Sequence, residues 1–369
     1  MIYADPADEL TRYISQIQSP DHDAMEKAQA RLDSLVKPPG SLGRLEDIAA
    51  ALAGISGKII NKYDKRCVII MASDNGVVDE GVSSAPQNIT HLMTLNFSKG
   101  ITGAAVLAKQ FNSDLIVVDV GINADMDYPL IKNKKIRKST WNIARQAAMT
   151  REEAVKAIVT GIETAIEAVK DGYTLLGAGE MGIGNTTSSA AVLCAMTGIS
   201  AEKAAGKGAG LNKGAYQKKI SVIKTALQIN NPNPDDPVDV IAKVGGFDIA
   251  AMAGLYIGAA YMKVPVVIDG FISMVAALAA SRLNPLIKNY MFASHASYEQ
   301  GFAHAAHALG AEPYLYLNMR LGEGSGCPLM FAMIDAACAV INNMGTFEQA
   351  KIGEEYLDKI KNGGNFTIS

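Results

Sequence analysis

The chain has few cysteines, little net charge and no long apolar run, and each shortage removes a class of function. Four cysteines in 369 residues, Cys67, Cys194, Cys327 and Cys338, stand far apart. None makes a CxxC pair or any other metal-ligand spacing. Three lie in apolar or small-residue runs and read as core, which fits a reducing compartment. A net charge of −3 lacks the positive footprint of a nucleic-acid or membrane-surface binder. The one basic cluster, Lys132-Asn133-Lys134-Lys135-Ile136-Arg137-Lys138, reads as a solvated loop. Apolar stretches are broken by a charge or a glycine before reaching the ~20 residues that span a bilayer. Met1–Leu10 has neither a basic region nor an apolar one, so no signal peptide is expected. A soluble cytoplasmic protein, without nucleic-acid or membrane partners, is the expectation. No strand leads into GxGxxG with an acid about 20 residues on, which disfavours a dinucleotide-dependent oxidoreductase. No internal repeat is visible.

What is present is core material, since 49% of residues are hydrophobic. Six β-rich runs recur: Cys67–Met71, Leu115–Val118, Tyr173–Leu176, Val264–Ile268, Asn289–Phe292 and Tyr314–Leu317. Their near-continuous apolar character is that of strands buried on both faces. Ala-rich amphipathic stretches lie between them, at 101–110, 151–170, 187–198, 247–261, 273–282 and 299–309. The alternation predicts an α/β fold with a mostly parallel six-stranded sheet and helices on both sides. The chain ends differ: 8–35 and 327–343 are helical without strands. The expected domains are therefore 1–40 with 327–360 as a small helical domain, 41–326 as the large α/β domain, and 361–369 as a flexible tail.

Each predicted strand is followed by polar or glycine-rich residues, and ligands of open α/β sheets bind beyond the carboxyl ends of strands. The richest such segment is Gly177-Ala178-Gly179-Glu180-Met181-Gly182-Ile183-Gly184-Asn185-Thr186-Thr187. Its glycines let bare amides approach a ligand. Asn185, Thr186 and Thr187 open a helix whose N-terminus suits a phosphate. Glu180 is out of place beside an anion and points to a chemical or orienting task. Gly206-Lys207-Gly208-Ala209-Gly210, with Lys218 and Lys219 downstream, is a second phosphate seat or a lysine-bearing loop. Glu323, between Gly322 and Gly324, is either a base whose charged form is disfavoured by apolar surroundings or a cap for the helix near Pro328. His304 and His307, at i and i+3, have no nearby carboxylate or cysteine to complete a metal site and read as helix-surface or packing residues.

The segments together resemble a known family. Lys37-Pro38-Pro39-Gly40-Ser41-Leu42-Gly43-Arg44-Leu45-Glu46, Asp74-Asn75-Gly76-Val77, the 179–187 run, Lys243-Val244-Gly245-Gly246-Phe247-Asp248, Asp269-Gly270-Phe271-Ile272-Ser273, Ser294-His295-Ala296-Ser297 and Arg320-Leu321-Gly322-Glu323-Gly324-Ser325-Gly326 are similar in kind and order to the nicotinate-nucleotide:dimethylbenzimidazole phosphoribosyltransferases. The resemblance implies a doubly wound sheet, a small helical domain built from both chain ends, and a dimer with active sites near the subunit interface. It implies transfer of phosphoribosyl from nicotinate mononucleotide to the lower-ligand base of a cobamide, needing no metal or redox cofactor. Glu323 matches the family's catalytic base and Glu180 its second acidic residue. Gly182, Asn185, Thr186, Gly208, Lys219, Asp269, Phe271 and Ser297 match positions that hold the donor's phosphate and ribose. Asn75, Ala85, Met93, Met181 and Leu321 fall at the acceptor pocket. Asn75 replaces a histidine, and Ala85 and Met93 replace polar residues, as in a branch that attaches phenol or p-cresol and works as two unlike subunits. A homodimer and a heterodimer are both open, as is a non-catalytic partner subunit, which retention of both glutamates argues against.

Overall fold

The computed structural model describes residues 5–208 and 210–353. Six strands, β1 (Arg66–Ser73), β2 (Asp114–Gly121), β3 (Ile131–Asn133), β4 (Leu175–Met181), β5 (Val266–Ile268) and β6 (Met291–Ala293), form one sheet. Their order is β3-β2-β1-β4-β5-β6, and every neighbouring pair is parallel. β1 and β4 are buried along their whole length, as their largely apolar sequence predicts, although β1 opens on Arg66 and β4 carries Glu180 near its end. The order reverses between β1 and β4. A crevice outside the strand ends at such a point is where this architecture places ligands.

Helices make up most of the other described elements. In chain order they are α1 (Pro6–Ser15), α2 (His22–Ser34), α3 (Arg44–Ser56), α4 (Ile89–Ser98), α5 (Gly103–Gln110), α6 (Arg151–Lys170), α7 (Asn185–Thr197), α8 (Ala201–Ala204), α9 (Lys213–Asn230), α10 (Pro237–Val244), α11 (Phe247–Tyr261), α12 (Phe271–Leu283), α13 (Phe302–Leu309) and α14 (Cys327–Asn343). Local chemistry sets several starts. Thr150 and Glu153 form a reciprocal capping box on α6. Asp236 caps α10, with Pro237 in the first turn. α6 and α11 cross so closely that a Cβ on Gly161 would strike the carbonyl of Ala251, and one on Gly254 that of Ile158.

Two strands differ from expectation. Tyr314–Leu317 is not a strand; it makes one parallel bridge, His295↔Leu315, beyond the end of β6. Tyr316 and Leu317, 70% and 52% exposed, have no layer to bury them. The sixth strand is instead β3, inside the lysine-rich segment expected to be a solvated loop. β3 pairs with β2 through Val117↔Ile131, Val118↔Lys132 and Asp119↔Asn133. Lysines are what an edge strand carries to avoid further pairing. Here they are also partnered: Lys132 and Lys134 with Glu167, and Lys135 with buried Asp119 at 2.9 Å.

The chain forms two compact units. The first comprises residues up to Gln18 together with Asp64–Phe331, and the second Ser19–Tyr63 with Ala332 onward. These bounds differ from a division at residues 40 and 327. α1 belongs to the first unit because Tyr13 packs edge-on against Tyr261 at 5.1 Å. α3 belongs to the second because Gly54 lies against Met25 and Pro20 beside α2. In that unit the 37–46 motif closes on a buried Lys37–Glu46 ion pair of 2.8 Å, with Gly43 as N-cap of α3. The expected tail, 361–369, lies outside the described residues.

Candidate active site

A cavity of about 270 Å³ opens at the carboxyl ends of β4 and β5. Its wall includes Glu180, Met181, Gly182, Asn185, Thr186, Gly208, Asp269, Phe271, Ser297, Leu321 and Glu323, together with Met93. Residues expected from separate parts of the chain thus meet at one place.

The glycine-rich run does more than the sequence suggested. β4 extends to Met181, so Gly177 and Gly179 are strand residues and not part of a loop. A Cβ on Gly179 would sit 2.8 Å from the carbonyl oxygen of Glu323, and one on Gly177 would sit 2.7 Å from Cβ of Cys327. Gly179 admits the Glu323 turn against the sheet, and Gly177 admits the start of α14. The chain then turns at Gly184, φ +94°, the N-cap of α7. α7 begins at Asn185 and points its N-terminus toward the cavity-lining Gly182–Thr186 turn.

A basic corner forms behind Thr186. Lys219 of α9 is fully buried, and its Nζ donates to Thr186 Oγ1 at 2.8 Å. Burial lowers the Lys219 pKa to about 8, opposed by the charge of Glu299. A Cβ on Gly208 would lie 3.3 Å from Thr186 Oγ1 and 3.8 Å from Lys219 Nζ, so the second glycine-rich segment closes over the same corner. Arg320 also lines the cavity. This set has the charge and the donors to hold a phosphate.

The acidic part is a buried carboxylate group. Asn185 Nδ2 donates to both Glu180 Oε2 and, at 2.9 Å, Asp248 Oδ2. Glu180 Oε1 accepts from the amide of Glu323 at 3.2 Å. Burial pushes the Glu180 pKa up to about 8 and that of Asp248 to about 6. It likewise raises Asp269 to about 7. Glu323 itself is raised above the usual carboxylate range by burial, against the pull of one backbone amide. That amide is Ala104 N, in the first turn of α5, 3.2 Å from Glu323 Oε2. The carboxylate therefore touches a helix start, but of α5 and not of the helix near Pro328. A carboxylate of raised pKa facing a cavity can take a proton near neutral pH.

Three expected residues do not line the cavity. Lys219 stands one contact behind, through Thr186. Asn75 is fully buried: its Oδ1 accepts from Ser188 Oγ at 2.8 Å, and its Nδ2 would lie 3.0 Å from a Cβ on Gly182. It lies against Gly182 and Gly184 of the cavity wall and does not itself line the cavity. Ala85 is half-buried and outside the lining, where Ser83 stands instead. Asp248 and Glu299 were given no role from sequence. Asp248 closes the Lys243-Val244-Gly245-Gly246-Phe247-Asp248 run, and nothing in its spacing to Asn185, 63 positions earlier, signals their contact. His304 and His307 lie exposed on α13.

The fold is a doubly wound α/β sheet, with a cavity at the strand ends whose wall carries both carboxylates and hydrogen-bond donors. A family model described as phosphoribosyltransferase matches residues 17–352. A nicotinate-nucleotide–dimethylbenzimidazole phosphoribosyltransferase of Clostridium perfringens is 54% identical over 352 residues, covering 95% of this chain and 98% of that one. The enzyme of that name from Acetivibrio thermocellus is 53% identical, over 91% and 95%. The crystal structure of the like-named Thermus thermophilus protein superposes with a TM-score of 0.85 at 37% identity, covering 90% and 99%. The chain belongs to the nicotinate-nucleotide–dimethylbenzimidazole phosphoribosyltransferase family, a family of pentosyltransferases. No helix among the described residues is long and apolar enough to cross a membrane.

Proposed function

We propose that this chain transfers the phosphoribosyl group of nicotinate mononucleotide to the aromatic lower-ligand base of a cobamide, in the cytoplasm. The observation that carries the reading is a raised-pKa carboxylate, Glu323, in one cavity with the Thr186–Lys219 phosphate corner. The donor's phosphate and ribose are held by Gly182, Asn185, Thr186, Gly208, Phe271 and Ser297, with Lys219 supplying charge through Thr186. The donor's pyridinium nitrogen is already cationic, so nicotinate leaves with the electron pair of its C1′–N bond and needs no general acid. The acceptor forms the new bond to C1′ from the opposite face, giving the α-riboside phosphate, while Glu323 takes its N–H proton. Glu180, held by Asn185 and by the Glu323 amide, fixes the base's turn.

For the acceptor, Met93, Met181 and Leu321 offer apolar walls that fit a small aromatic ring. That supports a relaxed choice that includes phenol or p-cresol beside dimethylbenzimidazole. Leu321 lines the cavity while 56% exposed, and Tyr298 and Tyr316 are also exposed. A second subunit, like or unlike, would cover them. The test is the purified chain given nicotinate mononucleotide with dimethylbenzimidazole or with phenol, products resolved by mass. An α-riboside phosphate with either acceptor supports the reading. No product with any acceptor overturns it, and product from dimethylbenzimidazole alone overturns the relaxed pocket.

A further inference from the structure

Asp269 stands directly after β5, at a position the resemblance assigns to the donor. Its bonds run elsewhere. The side chain is 2% exposed. Oδ2 accepts from the amide of Gly324 at 3.0 Å, and Oδ1 from that of Gly326 at 2.6 Å. Its own backbone is fixed on both sides: Ser273 Oγ accepts from Asp269 N at 3.1 Å, and Ser294 Oγ donates to Asp269 O at 3.0 Å. His295 Nδ1 lies 3.8 Å from Oδ1, and burial lowers that imidazole's pKa to about 4, so it brings no charge near pH 7.

The turn that Asp269 grips is unusual. Gly322, Glu323 and Gly324 all lie in the left-handed region, with φ of +81°, +65° and +79°. A glutamate holds that conformation only where its surroundings impose it. The amide of Glu323 ends on Glu180, those of Gly324 and Gly326 on Asp269, and that of Ser325 on the carbonyl of Gly322. Gly326 has no room for a side chain, since a Cβ there would lie 2.5 Å from Ser294 Oγ and 2.8 Å from Asp269 Oδ1.

We propose that Asp269 is a positioning residue for Glu323: its carboxylate holds the Gly322–Gly326 turn and so aims the Glu323 side chain into the cavity. This rests on the reading of Glu323 as the base. An asparagine at 269 keeps one acceptor but turns an N–H toward a backbone N–H, leaving a buried donor unpaired. The turn must then shift, and a displacement of ~1 Å at a reacting group costs on the order of 10²-fold in rate.

Two measurements decide it. The first is kcat and donor dissociation constant for Asp269→Asn, Glu323→Gln and the double variant. Asp269→Asn should lower kcat by ~10- to 10²-fold while donor affinity stays within about 2-fold, and should add almost nothing to Glu323→Gln. Weakened donor binding with kcat retained, or full additivity in the double variant, overturns the proposal. The second is hydrogen exchange of the native protein over residues 322–327. The amides of Glu323, Gly324 and Gly326 should exchange as slowly as those of β4. Exchange as fast as in 316–319 overturns the clamp, whether or not the variants fold. Normal turnover by Glu323→Gln would instead remove the base and leave this protection intact, so the two failures are distinct.

Discussion

Replacing Gly179 by alanine tests whether the strand glycines exist to admit the base. The added Cβ would meet Ile70 Cδ1 and would stand 2.8 Å from the Glu323 carbonyl oxygen and 3.0 Å from its carbon. Ile70 can rotate, but the Glu323 backbone cannot yield without moving its turn. Ordinary contact begins near 3.4 Å, so the turn must retreat by about 0.6 Å (3.4 − 2.8). Overpacking of this kind typically costs ~1–3 kcal/mol. A retreat of that size at the base should lower kcat by roughly 10-fold or more, given ~10²-fold for 1 Å. The donor's phosphate corner is untouched, so donor KM should hold. Gly177→Ala is the control: its Cβ meets Cys327 at 2.7 Å but no atom of Glu323 among its nearest neighbours. It should lose comparable stability with a smaller loss of kcat. Urea midpoints and steady-state kinetics on both variants are the assay. Gly179→Ala with unchanged kcat, or with raised donor KM instead, would show that Gly179 does not make room for the Glu323 turn.

Further outcomes follow from the same geometry. Lys219→Ala should raise donor KM by ~10- to 10²-fold, since bonds to charged groups carry ~1.5–3 kcal/mol, and Ser297→Ala by less; equal KM for both and wild type would place the phosphate elsewhere. Met93→Gln should shift kcat/KM toward dimethylbenzimidazole, whereas Ala85→Ser, outside the cavity lining, should not; the ratio over phenol measures it. Stability of the ligand-free protein should fall as pH rises from 6.5 to 8. Glu180 and Asp269, pushed up to about 8 and about 7, hold protons in the folded state that the unfolded chain has already released. Below 6.5 the depressed His295 acts in the opposite sense, and toward pH 8 so does Lys219, lowered to about 8, so the fall is steepest in the lower part of this window and flattens near its top. Urea midpoints rising across it would contradict the buried-carboxylate account.

The sheet was legible because buried parallel strands are written as unbroken apolar runs between Ala-rich helices; α6 and α11 fall on 151–170 and 247–261 as expected. β3 was not, because a three-residue edge strand, Ile131-Lys132-Asn133, running into a lysine-rich loop has little apolar signal of its own and is recognised only from its neighbour. Tyr314–Leu317 looked like a strand by β-propensity, but its pairing with the end of β6 goes no further than the His295↔Leu315 bridge, too short to make a strand. In the site, residues of the strand-end loops were found because motif and position coincide. Asn75 and Asp248 could not be placed from sequence: whether such a side chain faces the cavity or the floor beneath it is decided by glycines such as Gly182 and Gly246, whose missing side chains bring backbone and carboxylate together. Asp269 and Gly179 show the same thing in reverse. Both lie in recognisable motifs, yet their observed contacts are with the turn carrying Glu323.

The central claim is that Glu323 removes the acceptor's proton. The direct measurement is single-turnover formation of α-riboside phosphate by wild type and Glu323→Gln at saturating nicotinate mononucleotide and dimethylbenzimidazole, with donor affinity measured separately. Donor affinity is expected near wild type and the rate lower by ~10²- to 10⁴-fold, the usual worth of a general base. A Glu323→Gln rate close to wild type, with the donor bound equally well, would contradict it.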